Sequence, residues 1–442
     1  MPTKFMVLSI DGVPFGLMER MFNEGVMPNL AAVAKSGRFT PMKSVQPTVS
    51  SVAWASYATG VNPGIHGNYG FIDREPGTWN LQFPNNATMT ADHIWTKLSA
   101  QGKRVFGMNV PSTYPPKPVN GVLIGGFLAP SIDKVVFPSS EVEYLKSIDY
   151  QIDNDAGLAR QDKRAMLKNL DYTLDKRFEA LFHYLDREDW DFFHTHVMGS
   201  DRINHFLWEK MVARDPEFAS GFFKFYTHID NYIGKLLEKL GDDVPLMIFS
   251  DHGFCKIKYE VQMCRWLIEN NWLKPAAEIR HPLSLDPAGT KVYCSIPGRF
   301  FINLQGREPG GIVPLADYDS TRKALAAELM AIKDPKGNQV VEKVIMREEI
   351  YWPAELDGPN QMTPEQVATA GGTFGRAADL IAVPYDGYDL KLGIAGSEVF
   401  TKTALEGMHT YPDAFMVARG IELPADLEIT QLSKPIIKKV LE

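Results

Sequence analysis

Residues 245–253 read Pro245-Leu246-Met247-Ile248-Phe249-Ser250-Asp251-His252-Gly253, an apolar run that passes straight into a polar turn. A short, unbroken apolar segment of this kind is the signature of a parallel strand buried on both faces. Two other stretches repeat the design. Phe5 to Ile10 stops at Asp11-Gly12, and Trp190 to Val197 leads to Gly199-Ser200-Asp201. Amphipathic stretches at 165–186 and 222–240 lie between them, and a helix around 94–101 precedes a fourth strand at 104–108. Strands and helices in alternation predict an α/β layer fold on a mostly parallel sheet.

From about Lys256 the texture changes to segments richer in Pro and Gly. Hairpin-like strands are expected at 291–296 and 299–304, a helix at 319–332, and a loop at 369–375. This gives a first core segment at 1–255, an inserted cap at 256–393 and a return to the core at 394–442. Neither internal repeats nor low-complexity tracts stand out.

The whole-chain numbers narrow the function. With 442 residues, 45% hydrophobic and 23% charged, the chain is long enough for a large enzyme domain plus an insertion. A net charge of −8 argues against stable gripping of nucleic-acid backbone, which calls for clustered Lys and Arg. Three cysteines, Cys255, Cys264 and Cys294, are an odd number without CxxC spacing, which suits a reducing compartment. No stretch reads as a signal peptide or a membrane span, so the expectation is a cytoplasmic protein with no membrane partner.

Each of the three strands runs into an aspartate: Asp11, Asp201 and Asp251. In open α/β sheets the ligand site lies beyond the carboxyl ends of the strands. Three carboxylates delivered to one rim repel each other strongly unless a cation sits among them. His205 follows Asp201 by four residues, which on a helix places both on one face. His252 adjoins Asp251, and Gly253 permits a sharp turn. Mixed Asp and His donors suit zinc, or manganese where oxygen dominates. Taken singly, each aspartate is as well read as a helix cap or a turn former. Only their arrival at one edge raises the metal reading above that. His194 and His196 alternate within a strand and are read as packing residues or supports behind a ligand.

A nucleophile is the other requirement. The segment from Gln46 to Gly60 reads as a loop entering a short helix closed by Gly60. Ser50 falls at the N-cap or first turn, where free N–H groups favour a phosphate. Thr48 and Ser51 fit the same description, and position alone does not choose among them.

These motifs together resemble the alkaline phosphatase superfamily, in its type I phosphodiesterase/nucleotide pyrophosphatase branch. The matching residues are Ser9-Ile10-Asp11-Gly12, Met27-Pro28-Asn29-Leu30, Pro47-Thr48-Val49-Ser50, Thr59-Gly60 with His66-Gly67, Asp201-Arg202-Ile203-Asn204-His205, Ser250-Asp251-His252-Gly253-Phe254 and Gly407-Met408-His409. The resemblance implies a three-layer α/β/α core with an inserted cap and two divalent metal ions, zinc foremost. Asp11, Ser50, Asp251 and His252 would hold one ion; Asp201, His205 and His409 would hold the other. It also selects Ser50 as the nucleophile. The implied activity is hydrolysis of a small phosphate ester or nucleotide through a covalent phosphoserine.

The chain departs from the branch after His66-Gly67. Phe71 stands where those enzymes carry a phosphate-binding asparagine, and Asn68 is a few residues out of register. Asn68, Tyr69 and Phe71 are therefore the candidate substrate contacts, with Trp54 better read as packing. Sulfatase chemistry is disfavoured, since the Cys/Ser-x-Pro-x-Arg segment is absent around Ser50. The alternatives are a phosphomonoesterase, a phosphomutase-like transferase that returns phosphate to a hydroxyl, and a binding module without turnover.

Overall fold

The computed structural model describes residues 3–187, 189–281 and 283–442. Eight strands form the main sheet: β1 (Met6–Ile10), β2 (Arg38–Met42), β3 (Val105–Met108), β4 (Gly121–Ile124), β5 (Val136–Phe137), β6 (Phe192–Val197), β7 (Leu246–Phe249) and β8 (Ala414–Arg419). Their order is β2-β8-β7-β1-β6-β3-β4-β5. The run from β7 through β1, β6 and β3 to β4 is parallel, and β8 joins β7 antiparallel. The central strands are buried on both sides because both faces are covered, and apart from Ser9, His194, Thr195 and His196 of β1 and β6 they are largely apolar. Met6, Leu8 and Ile10 enter one core, together with α2 (Lys163–Arg187), α3 (Gly199–Val212) and α4 (Phe218–Leu240). Phe5 and Val7 enter the other, against α1 (Ser50–Thr59) and the C-terminal helix Ser433–Leu441. This is the three-layer α/β/α architecture that alternating strand and helix signals foretell.

The chain divides into two compact units. The first comprises 1–61, 85–256 and 404–442, and the second comprises 62–84 and 257–403. The second has its own core and a four-stranded antiparallel sheet in the order 292–296, 299–302, 380–384, 341–346. The helix Tyr318–Met330 contributes Leu325 and Leu329 to that core. The unit runs to Thr403, where the sequence reading placed the return at 394. Tyr388–Lys391 and Phe400–Thr401 both pair with Tyr259–Gln262, so the chain stays in this unit through that ribbon. Segment 62–84 belongs here because Tyr69 is buried in this core, a long-range packing fact with no local sequence signal.

Candidate metal and nucleophile site

The carboxyl rim of β1, β6 and β7 gathers the candidate ligands. β1 ends at Asp11 and β7 at Ser250-Asp251-His252, and all four side chains are fully buried. The turn after β1 needs Gly12, whose φ of 66° is left-handed. Its N–H donates to Asp251 Oδ1 at 3.2 Å, and the next N–H, of Val13, donates to Ser250 Oγ at 2.7 Å. Two strand ends are thereby tied together. Ligand atoms of Asp11, Asp251 and His252 all lie within 4.8 Å of one another. Ser50 is the first residue of α1, with Val49 as N-cap. Its Oγ lies 3.4 Å from Asp11 Oδ1 and 3.2 Å from His252 Nε2.

Asp201, His205 and His409 make a second such group. α3 places Asp201 and His205 one turn apart, with His205 Nε2 3.5 Å from Asp201 Oδ1. His409 arrives on a two-stranded ribbon in which Gly407–Thr410 pairs antiparallel with Gly253–Lys256. Its Nε2 lies 3.2 Å from Asp201 Oδ1 and 3.1 Å from His205 Nε2. The His252 and His409 rings stack with centroids 3.6 Å apart, which sets the two groups side by side.

The three histidines share one orientation. Nδ1 of His205 faces Gly407 O at 2.8 Å, that of His409 faces Thr48 O at 3.2 Å, and that of His252 faces Gly253 O at 3.1 Å. A carbonyl only accepts, so each Nδ1 carries a proton and each Nε2 is the ring atom turned to the cluster, the orientation of a metal-ligating imidazole. Asp251 Oδ2 is buried without a hydrogen-bond partner. Burial, then the neighbouring Asp11, pushes the Asp251 carboxyl well above its usual range. Burial also acts against the Asp201 carboxylate, yet His205, His409 and Arg202 together hold it well below that range. Burial, then His409, pushes His252 down to about 3. A donor set of buried carboxylates and imidazoles fits divalent cations.

The family model for type I phosphodiesterase/nucleotide pyrophosphatase matches residues 5–412. This chain belongs to that family. It is accordingly a phosphoric ester hydrolase with an alkaline phosphatase-like fold. Phosphonoacetate hydrolase from Sinorhizobium meliloti 1021, solved with phosphonoacetate, is similar over 99% of this chain and 96% of that one, with 15% identity and a TM-score of 0.63. Murine ectonucleotide pyrophosphatase/phosphodiesterase 5, as an inactive variant with AMP, is similar over 99% and 95%, with 14% identity and a TM-score of 0.55. No curated protein sequence matches the chain.

Against the sequence reading, the seven family-type positions Asp11, Ser50, Asp201, His205, Asp251, His252 and His409 come together in the first unit. Of the three hydroxyl candidates, Thr48 Oγ1 donates to Val45 O at 3.1 Å, and Ser51 gives its carbonyl to Ser112 Oγ at 2.9 Å. Asn68, Tyr69 and Phe71 lie in the second unit. Asn68 is buried, and its Oδ1 accepts from Gly70 N at 3.1 Å in a local turn. Tyr69 is a core residue whose hydroxyl donates to Thr373 O at 2.9 Å, and Phe71 is half-buried. Sequence reasoning missed the Trp54 indole, which donates to Asp11 Oδ2 at 2.9 Å. It also missed Asn204, which donates to Gly12 O at 2.6 Å. Asn204 lies three residues after Asp201, within reach of the same rim on a helix, and that spacing was the available signal.

Proposed function

We propose that the protein hydrolyses small phosphate esters, diesters or nucleotide pyrophosphates foremost, with Ser50 as nucleophile and two divalent ions, zinc foremost, as resident cofactors. The observation that carries this reading is the placement of Ser50 Oγ against Asp11 Oδ1 and His252 Nε2, beside the buried Asp251 Oδ2, which has no hydrogen-bond partner. Asp11, Ser50, Asp251 and His252 would hold one ion, and Asp201, His205 and His409 the other. Bound there, such ions supply charge stabilisation for the attacking and leaving oxygens of an in-line displacement.

The chain's own residues do the rest. α1 presents Ser50 Oγ from its first turn, where the positive end of the helix dipole favours an anionic phosphoryl group. Ser50 Oγ loses its proton and bonds to phosphorus as the bond from phosphorus to the leaving oxygen breaks, giving a phosphoserine and a leaving group that takes up a proton. Water then attacks the same phosphorus and the Ser50 oxygen departs, restoring the enzyme. The rigid rim places nucleophile and ligands with little reorganisation, where most of the benefit in phosphoryl transfer arises. A cytoplasmic setting fits the absence of disulfides among the described residues. No described helix is long and apolar enough to cross a membrane.

The test is a comparison of wild type and Ser50→Ala on aryl phosphodiesters, aryl phosphomonoesters, a nucleotide pyrophosphate and phosphonoacetate. Wild type should turn over at least one ester, Ser50→Ala should lose about 10³-fold or more of kcat, and a quenched reaction should leave phosphate on Ser50. Equal turnover by both proteins on every substrate would remove Ser50 from the mechanism.

A further inference from the structure

Five polar side chains are buried between the sheet and α1, where an apolar set would be cheaper. Ser9 of β1 lies opposite His196 of β6, and Val7 opposite His194. Residues two apart on a strand share a face, so the Ser9 hydroxyl sits beside both rings. Ser9 Oγ is 2.9 Å from His194 Nε2 and 2.8 Å from His196 Nδ1. Beyond His194, its Nδ1 stands 3.3 Å from the Tyr57 hydroxyl of α1. Beyond His196, its Nε2 stands 3.2 Å from Asp11 Oδ2. That carboxylate oxygen also accepts from Trp54 Nε1 at 2.9 Å.

The His196–Asp11 contact is an ion-pair approach without hydrogen-bond alignment, and a proton on His196 Nε2 makes it attractive where a lone pair would be repelled by the carboxylate. For neutral rings every other donor then follows in one direction. Nδ1 of His196 accepts from Ser9 O–H, Ser9 Oγ accepts from His194 Nε2–H, and His194 Nδ1 accepts from Tyr57 O–H. The chain ends on Asp11 and commits its Oδ2 to the protein. Oδ1 is left to face Ser50 at 3.4 Å and His252 Nε2 at 3.5 Å.

We infer that His196 is a positioning residue for Asp11: with Trp54 it occupies Oδ2, so that Asp11 offers a single oxygen, Oδ1, to the nucleophile-side metal ion. Ser9, His194 and Tyr57 fix the ring that does so. The inference rests on the proposed metal-dependent mechanism and deepens it. Its specific consequence is asymmetry, because the chain reaches Asp11 and leaves Asp201, His205 and His409 untouched.

The test uses the full-length protein as wild type, His196→Leu, His196→Gln and Ser9→Ala. Zinc affinity is read by competition with a chelator, the cobalt(II) visible spectrum is recorded, and kcat and KM are measured separately. His196→Leu should weaken one of two zinc equivalents by roughly 10–100-fold and leave the other unchanged, as loss of an outer partner does. The cobalt spectrum should change for that one equivalent, and kcat should fall more than KM moves. Glutamine keeps an N–H donor, so His196→Gln should return affinity to within a few-fold of wild type. Ser9→Ala removes one oxygen from a strand and decides the matter if His196→Leu does not fold; it should weaken the same equivalent by about 10-fold, the low end of that range. Two equivalents held as tightly by folded Ser9→Ala and His196→Leu as by wild type would overturn this inference alone. A wild type that takes up no divalent ion would overturn the proposed function with it.

Discussion

Asp73 shows at the scale of one residue how burial alone sets a testable pH dependence. It is wholly buried in the second unit, and one of its oxygens has no hydrogen-bond partner. Desolvation raises its carboxyl to about 6, against the pull of the Arg74 backbone N–H and of Arg376, Arg299 and Arg74. A folded-state value above the unfolded one means the native state holds the proton more tightly. Ionisation therefore costs native stability as pH climbs from about 4 to 6, and the whole cost is present above that. Asp73→Asn, which still accepts from the Arg74 N–H, should gain about 3 kcal/mol over wild type at pH 8 relative to pH 4. Urea melts at the two pH values measure this, and a gap independent of pH would refute the shift. Legibility at this scale was uneven. Asp11, Asp201 and Asp251 stood out because each ends an apolar strand. Ser50, by contrast, could not be told from Thr48 and Ser51 without the family pattern, since what separates them is which way a hydroxyl turns. Thr48 turns to Val45 O and Ser50 toward Asp11.

Among the elements, the turn after β1 carries the most for its length. Gly12 donates to Asp251 and accepts from Asn204, so one residue links β1, β7 and α3. A Cβ there would meet the Phe254 ring at 2.7 Å and Asp201 Oδ1 at 3.1 Å. Gly12→Ala combines a left-handed backbone, costing about 1–2 kcal/mol, with a contact that forces a neighbour aside. We expect a loss of about 1–3 kcal/mol in stability and a drop in kcat out of proportion to it, since Asp11, Asp201 and Asp251 all border the turn. Denaturant melts and steady-state kinetics on the same preparation check both; an alanine variant equal to wild type in each would show the turn to be tolerant. The turn was readable as Asp11-Gly12 after a strand. The ribbon that delivers His409 was not, because Phe254 and His409 pair across more than a hundred residues of intervening chain, and Met408-His409-Thr410 has no periodicity long enough to announce a strand.

For the molecule as a whole, the site is a long-range closure. Its seven side chains come from three separate stretches of the first unit, and the second unit supplies none of them. The fold class was legible because alternating buried strands and amphipathic helices are local patterns. The assignment of 62–84 to the second unit was not, since it depends on which core Tyr69 enters. Ions bound at such a closure stabilise only the native arrangement, by about 2.7 kcal/mol per site at a free concentration a hundred times Kd. Under the proposed function they would also offset the burial and the neighbouring Asp11 charge that together raise Asp251. Removing them should therefore loosen the first unit locally and leave the second alone. In amide hydrogen exchange, a chelator should speed exchange at 199–205, 251–254 and 407–410, where the proposed ligands and their hydrogen-bonded neighbours reside. Strands 292–296, 299–302 and 380–384 carry no ligand and should exchange at the same rate with or without the chelator. Uniform acceleration across both sets, or none in the first, would mean that cations do not hold this rim together.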